Sequence, residues 1–205
     1  MDITRTVRLK LQTSPDVFLP TIINYTKAYN FACQTAWDNN KTTDGVWLHH
    51  QVYKTIRKYL SADLTCSARA KATESIKSVK KLQEKEIRRA KHKGREPKIY
   101  YCPQSQQQSI RYNDKTFNIW FNRNQLSLQT IDGRIKLPIN LHLYYQEYVT
   151  WIRCSAELII RDKKVFLNIV FSKSVADPIG NGEYVGIDRG VKRIAVTSNK
   201  QFYGG

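Results

Sequence analysis

A short apolar strand near the end of the sequence carries one acidic residue between two glycines. The segment reads Val185-Gly186-Ile187-Asp188-Arg189-Gly190. Residues two apart on a β-strand share a face, so Asp188 is expected to stand between two positions that lack side chains. Such a bare surface lets a divalent metal ion and a phosphate approach the carboxylate closely. The segment therefore predicts Asp188 as a metal-binding catalytic residue, and the alternative is an aspartate that caps a turn.

A long basic stretch is the second segment with a chemical signature. Between Ser67 and Arg95 there are eleven Lys or Arg residues and three acids, a balance of 11 − 3 = +8. Acids are too few to pair with these bases at the i, i+4 spacing of a helix. Basic side chains along a helix can follow a phosphate backbone, and aromatic rings can stack on exposed bases. The alternative is a solvated helix face beside rings that belong to the core.

The whole chain is strongly basic. Its 205 residues include 34 Lys or Arg and 17 Asp or Glu, which gives a net charge of +17. A field of that sign steers polyanions toward the protein, so nucleic acid is the expected partner and an anionic membrane is the competitor. No run of about 18 apolar residues and no signal core is present, which indicates a cytoplasmic protein. A long amphipathic helix rich in Trp and Leu is also missing, so a membrane partner is not expected. The spacing of the cysteines and histidines predicts no zinc site.

Three helices are expected to position the basic stretch. Ser14-Pro15-Asp16 has the residues of a helix start, and apolar residues follow at steps of three and four as far as about Trp37. A second helix is predicted from about Val46 to Leu60. The third and most charged helix is predicted from about Cys66 to His92, with Gly94 as its C-terminal cap.

Short strands are expected before and after the helices. Thr4–Leu11 alternates polar and apolar residues, and the alternation from Cys154 to Phe171 predicts a β-hairpin. Further strands are predicted at 109–112, 117–121, 125–130, 134–137 and 145–150. The pattern predicts an α+β fold, with an antiparallel β-barrel or a strongly bent sheet in which the helices form an insertion. A linker at 176–182 then precedes two strands, Glu183–Arg189 and Arg193–Ser198.

A Gly-Ile-Asp-x-Gly strand of this kind opens RNase H-like folds, which include nucleases and ATPases of the actin and chaperone type. The ATPases usually offer Thr or Ser to a nucleotide phosphate in the turn after the second glycine. Val191 and Lys192 occupy that turn here, which favours the nuclease interpretation. In a nuclease of this class, two metal ions held by carboxylates clamp the attacking and leaving oxygens of a phosphodiester.

Taken together, the chain resembles the N-terminal part of the TnpB family. These are transposon-associated RNA-guided nucleases, also known as OrfB-type transposases, and are relatives of the type V CRISPR effectors. The likeness covers nearly all of the chain in element order. It is carried by the basic helix Ser67–Ala72 with Lys77 and Lys80, by the strands at 126–128 and 132–137, and by YVGIDRGVKRIAVT at 184–197, which resembles the first RuvC motif.

The resemblance implies an organisation and a mechanism. Residues 1–12 and 97–181 would form a wedge-like, OB-like barrel, 13–96 a helical recognition lobe, and 182–205 the incomplete start of an RNase H-like RuvC domain. A guide RNA from the transposon end would pair with target DNA, and the protein would hold the heteroduplex by its shape and backbone. Cleavage would use Mg²⁺ held by three acids, of which Asp188 alone has a match in this sequence. We therefore expect that the chain by itself does not cut DNA.

Six residues combine polar or basic chemistry with the likeness to the recognition lobe. We predict nucleic-acid contacts for Tyr53, Ser67, Arg69, Lys71, Lys77 and Lys80. Two functions remain open from the sequence. One is the N-terminal part of an RNA-guided DNA endonuclease, with metal-dependent phosphodiester hydrolysis only in the full-length protein. The alternative is a non-catalytic, nucleic-acid-binding transposase remnant.

Overall fold

Three α-helices follow the first strand of the chain. A computed structural model describes residues 1–140, 143–177, 185–190 and 194–203. Strand β1 spans Asp2–Leu11, and helices α1, α2 and α3 span Leu19–Asp38, Gly45–Ile56 and Ala62–His92. The three predicted helices are confirmed, although α3 begins four residues before Cys66. Within the described part of the chain, no helix is long and apolar enough to cross a membrane.

The first helix is positioned by local capping and by one apolar stripe. The Ser14 hydroxyl accepts a hydrogen bond from the Asp16 backbone N–H at 3.2 Å, which starts a 3₁₀ turn at Pro15–Val17 before α1. The stripe of residues at helical spacing is buried throughout, as the sequence predicts. Its members are Phe18, Ile22, Tyr25, Tyr29, Cys33 and Ala36. Burying each large apolar side chain contributes roughly 1.5–3 kcal/mol, which ties α1 firmly into the core.

The principal sheet has the strand order β1-β7-β6-β2, where β2 is Ile110–Tyr112, β6 is Ile152–Arg161 and β7 is Lys164–Ser174. The predicted hairpin is confirmed, because β6 and β7 pair antiparallel with Arg161 opposite Lys164. Asp162 and Lys163 have φ values of 50° and 56° in the connecting turn. Two consecutive left-handed residues match the right-handed twist of a hairpin. The inward-facing residues of both strands from Ala156 to Phe171 are buried, except for Ile160, which is partly buried.

A second antiparallel sheet contains β3 (Phe117–Trp120), β4 (Gln125–Thr130) and β5 (Gly133–Pro138) in the order β3-β4-β5. The fold class is therefore α+β with antiparallel sheets. Among the described residues the strands form open sheets and do not close into a barrel, because closure would require hydrogen bonds between the edge strands. Both sheets contribute side chains to the same hydrophobic core, Phe117 and Leu128 from one and Leu158 and Leu167 from the other.

The predicted strand at 145–150 is wrong. Leu143–Thr150 is a 3₁₀ helix instead, and its tyrosines pack at helical spacing. The rings of Tyr144 and Tyr148 have centroids 5.7 Å apart, and the Tyr148 ring also lies 5.2 Å from Trp151 and 5.4 Å from Phe171. An aromatic-rich segment has strand propensity, but here ring packing against the core favours the helical turn.

The chain divides into two compact units, Asp2–Lys173 on the one hand and Met1 with Ser174–Gly205 on the other. The second unit contains a small antiparallel sheet of β8 (Ile187–Asp188), β9 (Ala195–Thr197) and β10 (Phe202–Tyr203) in the order β10-β9-β8. The predicted strands include residues 183, 184 and 193, which lie outside the described residues. So do the turn residues 191 and 192 and most of the predicted linker. Strand β10 was not predicted.

Candidate nucleic-acid interface

Helix α3 has two halves with different environments. In its first half Leu64, Ala68, Ala72 and Ile76 are fully buried, and the helix packs there against α1 and α2. Beyond Ile76 the helix continues for four more turns, and Ala90 is the one buried residue among the described residues of that half. The second half therefore projects from the core, so its polar side chains meet solvent on most of the circumference.

The segment that follows α3 turns back along the projecting half. The Glu86 carboxylate accepts hydrogen bonds from the Lys98 backbone N–H and pairs with the Arg95 guanidinium at 2.7 Å. Gln83 also holds this segment. Its side-chain amide accepts a hydrogen bond from the Tyr100 N–H at 2.9 Å and donates one to the Lys98 carbonyl at 3.1 Å. These bonds cover one face of the helix with residues 95–100, which we call the return segment.

The face of α3 opposite the return segment is basic. Residues on the covered face, Val79, Gln83, Glu86 and Ala90, recur at steps of four, three and four, as one side of a helix requires. The residues on the opposite side also recur at steps of four, four, three and four. We call this row the basic stripe, and its members are Lys77, Lys81, Lys85, Arg88 and His92. At 1.5 Å per residue the stripe is about 22 Å long.

The basic stripe has no carboxylate partner within the part of the chain that the structure describes. Arg88 donates only to the Glu84 backbone carbonyl, at 3.4 Å, and Glu86 is occupied by Arg95. All five members of the stripe are exposed. A row of exposed Lys and Arg side chains without carboxylate partners, along one face of a helix, is an arrangement that binds a polyanion and releases its counterions.

The return segment is expected to depend on Glu86. In Glu86→Ala the Lys98 N–H and the Arg95 guanidinium lose their acceptor, so residues 95–98 should loosen from the helix, while Gln83 still accepts from the Tyr100 N–H. We expect the backbone amide of Lys98 to exchange with solvent deuterium at least tenfold faster than in the unchanged chain. Lys81→Ala is the control, since Lys81 is exposed and lies in the basic stripe, on the helix face opposite the return segment. Equal exchange in both variants would contradict the role given to Glu86.

Lys71, one of the predicted contact residues, lies in a buried polar cluster between α3 and the principal sheet. Its ammonium group donates to the Glu157 carboxylate at 2.6 Å and to the Ser109 hydroxyl at 2.7 Å and carbonyl at 3.0 Å. Burial lowers the pKa of Lys71, and the contact with Glu157 offsets this only in part. Burial alone would raise the pKa of Glu157, but the hydrogen bonds from Lys71 and Ser109 outweigh it and hold that pKa below its usual range.

Ser67 belongs to the same buried layer. Its hydroxyl donates to the Arg111 carbonyl at 2.7 Å and is hydrogen-bonded to the Tyr25 hydroxyl at 2.8 Å. Burial raises the pKa of Tyr25 to about 12, so that hydroxyl stays neutral. The structure thus gives both Ser67 and Lys71 intramolecular partners in the core, where they join α3 to the sheet. Contacts of either residue with nucleic acid stay a prediction.

Tyr53 and Arg69 lie on the side of the bundle that contains α2. The Tyr53 ring packs against the His49 ring, with centroids 4.5 Å apart, and is partly exposed. The Arg69 guanidinium lies against the start of α2, where a Cβ at Gly45 would come within 2.8 Å of its Nη1. Its buried Nε has no hydrogen-bond partner among the described residues. Glycine at position 45 is therefore what makes room for the guanidinium.

Lys77 and Lys80 lie on the projecting half of α3, but on different sides. Lys77 begins the basic stripe, whereas Lys80 lines a small cleft with Lys41 and Tyr100. The Lys41 ammonium stands 4.3 Å from the centre of the Trp37 ring. Sequence analysis missed Lys41, which follows α1 in a left-handed turn with φ of 52° and has no motif around it. Lys80 therefore shares its cleft with a second cation that is remote in sequence.

Asp188 lies on the exposed strand β8, opposite Val196 on β9. Gly186 is on the same face, and a Cβ there would lie 3.7 Å from the Ser198 Cβ, an ordinary contact. The fold of this unit therefore does not itself demand glycine beside Asp188. Among the described residues, no group of three or more His, Cys, Asp and Glu side chains could hold a metal ion. Asp188 supplies one carboxylate, which does not by itself satisfy the octahedral demand of Mg²⁺.

Comparisons with known proteins give no family for this chain. No protein-family model matches the chain. No curated protein matches it either. The observation that bears most on function is therefore the basic stripe, together with the return segment that sets its orientation.

Proposed function

We propose that this chain binds nucleic acid through the basic stripe of α3, as the RNA- and DNA-binding part of a TnpB-type, RNA-guided DNA endonuclease. One observation carries the proposal. Four Lys or Arg residues and a histidine form an exposed row without carboxylate partners in the described chain, on the helix face opposite the return segment. The family assignment rests on the resemblance of the sequence, and the binding function rests on this row.

Physical considerations favour a nucleic acid as the partner of the stripe. A strand of nucleic acid has one phosphate for about every 3.4 Å, so a row about 22 Å long spans roughly six phosphates. The net charge of +17 adds a long-range field that accelerates encounter with any polyanion. In a guide RNA–target DNA heteroduplex, a protein contacts mainly the backbone and leaves sequence recognition to base pairing. A row of unpaired Lys and Arg side chains can contact such a backbone without recognising its sequence.

We further propose that the two sheets within Asp2–Lys173 correspond to the wedge-like barrel, and that Ser174–Gly205 begins a RuvC-like domain. The order β10-β9-β8, with all neighbours antiparallel and Asp188 on an exposed strand, supports the second assignment. In this proposal Asp188 is one of three acids that hold Mg²⁺ in the full-length protein. We assign no hydrolytic step to the described residues, because they group no metal-binding set.

A non-catalytic nucleic-acid-binding protein, such as a transposase remnant, is the second candidate. The exposed basic stripe supports this candidate as it supports the first. Such a protein needs the basic stripe and the fold that orients it, but it needs no metal. The two candidates differ in the specificity expected for RNA, because a guide-RNA platform must recognise the folded transposon-end transcript.

The test is a salt-titrated binding experiment with the purified 205-residue chain. The probes are RNA transcribed from the transposon end, a scrambled RNA of equal length and duplex DNA of equal charge. We expect the transposon-end RNA to remain bound at 150 mM salt while the scrambled RNA binds at least tenfold more weakly. Equal affinities for all three, with one steep salt dependence, would favour the second candidate. No binding to any probe at low salt would overturn both.

A further inference from the structure

A cleft of about 590 Å³ lies at one end of the second sheet, remote in sequence from the basic stripe. Its walls are the turn between β3 and β4 and the 3₁₀ helix Leu143–Thr150. Two aromatic rings, three side-chain amides and one aliphatic side chain line it. These residues are Phe121, Tyr145, Asn122, Asn124, Gln146 and Val149. The volume is in the range of sites that bind small organic groups.

The first wall is a fixed turn. Asn124 ends the 3₁₀ helix Phe121–Arg123 in the left-handed conformation, with φ of 46° and ψ of 45°. Asparagine adopts this conformation more readily than most residues. Its N–H donates to the Phe121 carbonyl at 3.3 Å, and its carbonyl accepts from the Ile139 N–H at 2.9 Å. The backbone of the amide-bearing turn is therefore held from both sides.

The second wall is held through its tyrosine. The Tyr145 hydroxyl donates to the Arg8 carbonyl at 2.9 Å, which anchors the ring to β1. Phe121, on the facing wall, packs with its ring centroid 6.2 Å from that of Phe171 in the core. Both rings are half-buried, so part of each ring packs against the protein and the rest is accessible. Such rings are platforms on which a planar group can stack.

Apart from the Tyr145 hydroxyl, the polar side chains that line the cleft are all amides. The side chains of Asn122, Asn124 and Gln146 form no hydrogen bond with any residue that the structure describes. A side-chain amide donates and accepts at once, and adenine alone among the unpaired bases of the test offers a matching donor and acceptor on two edges, N6–H with N1 and N6–H with N7, so that two amides can bond it together. No carboxylate or cysteine lines the cleft, so its lining does not favour a metal ion. Arg123, between the two asparagines, is an exposed cation that can pair with a phosphate.

We propose that this cleft binds one unpaired nucleobase of the bound RNA, with adenine preferred. The rings of Phe121 and Tyr145 stack on the base, and the amides of Asn122 and Gln146 bond its edge. The inference rests on the proposed function in one respect, because the base belongs to an RNA strand that the chain already binds. It adds a base-reading site to a protein whose stripe contacts only the backbone.

The test compares equal-length single-stranded homopolymers, because these carry equal charge. Fluorescence anisotropy is measured with rA12, rC12 and rU12 at 150 mM salt, and with AMP as competitor. We expect rA12 to bind about tenfold more tightly than rC12. In Asn122→Ala/Gln146→Ala that preference should disappear, whereas affinity for rC12 should stay within twofold. Gln12→Ala, an exposed amide before α1, is the control and should keep the preference.

The outcomes separate the two proposals. Loss of the preference in the double variant alone supports the cleft as a base-reading site. Tight but equal binding of all three homopolymers would overturn the cleft proposal and leave the proposed function standing. No binding of any homopolymer or of structured RNA would overturn the function itself. If AMP bound more tightly than rA12, the cleft would be a site for a free nucleotide, and its assignment to RNA would be wrong.

Discussion

Replacing Lys81, Lys85 and Arg88 together with glutamine is expected to weaken RNA binding on the order of 100-fold at low salt. These three side chains lie in the middle of the basic stripe and have no carboxylate partner among the described residues. Each phosphate contact contributes about 0.7 to the slope of log affinity against log salt for a single strand, so the slope should fall by about 2. Glutamine preserves helix propensity, so α3 should stay intact by circular dichroism.

A matched control separates the stripe from the net charge. Lys115, Lys136 and Lys164 are exposed, lie in the sheets and their turns, and form no ion pair in the described chain. Their joint replacement by glutamine removes the same three charges, and we expect less than a fivefold loss of affinity. A similar loss in both triple variants would mean that the field of the whole chain binds RNA, without a defined interface.

Lys71→Met is expected to lower the free energy of unfolding of the protein, whether or not RNA is bound. The substitution leaves the Glu157 carboxylate without its ammonium partner, in a site where the Glu157 side chain is 38% exposed. Breaking a fully buried pair costs about 3–5 kcal/mol, and the partial exposure of Glu157 reduces this to about 2 kcal/mol. For a chain of this size the melting temperature should fall by roughly 4–8 °C. Thermal unfolding by circular dichroism is the measurement.

Two further variants test the source of that loss. Lys71→Met/Glu157→Leu removes both charges and should recover most of the stability, since neither group is then buried without its partner. Lys77→Met, one turn and a half further along α3, should leave the melting temperature within 1–2 °C, because Lys77 is exposed. A Lys71→Met chain that melts like Lys77→Met would contradict the structural role of the cluster.

The cluster also predicts a pH dependence. The pKa of Glu157 lies below its usual range, so its ionised form stabilises the folded state above the unfolded pKa of about 4.3. That contribution is lost as the pH falls through the folded pKa. The unfolding free energy should therefore fall more steeply below about pH 4 in the unchanged chain than in Glu157→Gln.

The sequence was most informative where one periodicity dominated. The alternation of polar and apolar residues at 154–171 predicted the hairpin, because residues along a half-buried strand are alternately exposed and buried. Helix α1 was predicted by its apolar stripe. The prediction of a strand at 145–150 was wrong because the spacing of its tyrosines is compatible with the two-residue period of a strand and with the period of a helix. The contact of the Tyr148 ring with Phe171, which is distant in sequence, favours the helical turn and is not visible in the segment itself.

The candidate interface could be predicted only in part, for a related reason. The basic character of α3 is plain in the sequence, but the face that meets solvent depends on which side receives the return segment. That choice rests on Gln83 and Glu86, which look like ordinary polar residues of an exposed helix. For the same reason Lys71 could not be told from Lys77: its buried partners, Ser109 and Glu157, are distant in sequence.

The most direct test of the basic stripe is lysine footprinting with and without bound RNA. The chain is briefly acetylated in both states, and the modification of each lysine is measured by mass spectrometry. The structure predicts strong protection of Lys77, Lys81 and Lys85 on binding, with Lys115 and Lys164 unchanged as exposed controls. Uniform protection of all five lysines, or protection confined to the two controls, would contradict the central claim that α3 is the nucleic-acid interface.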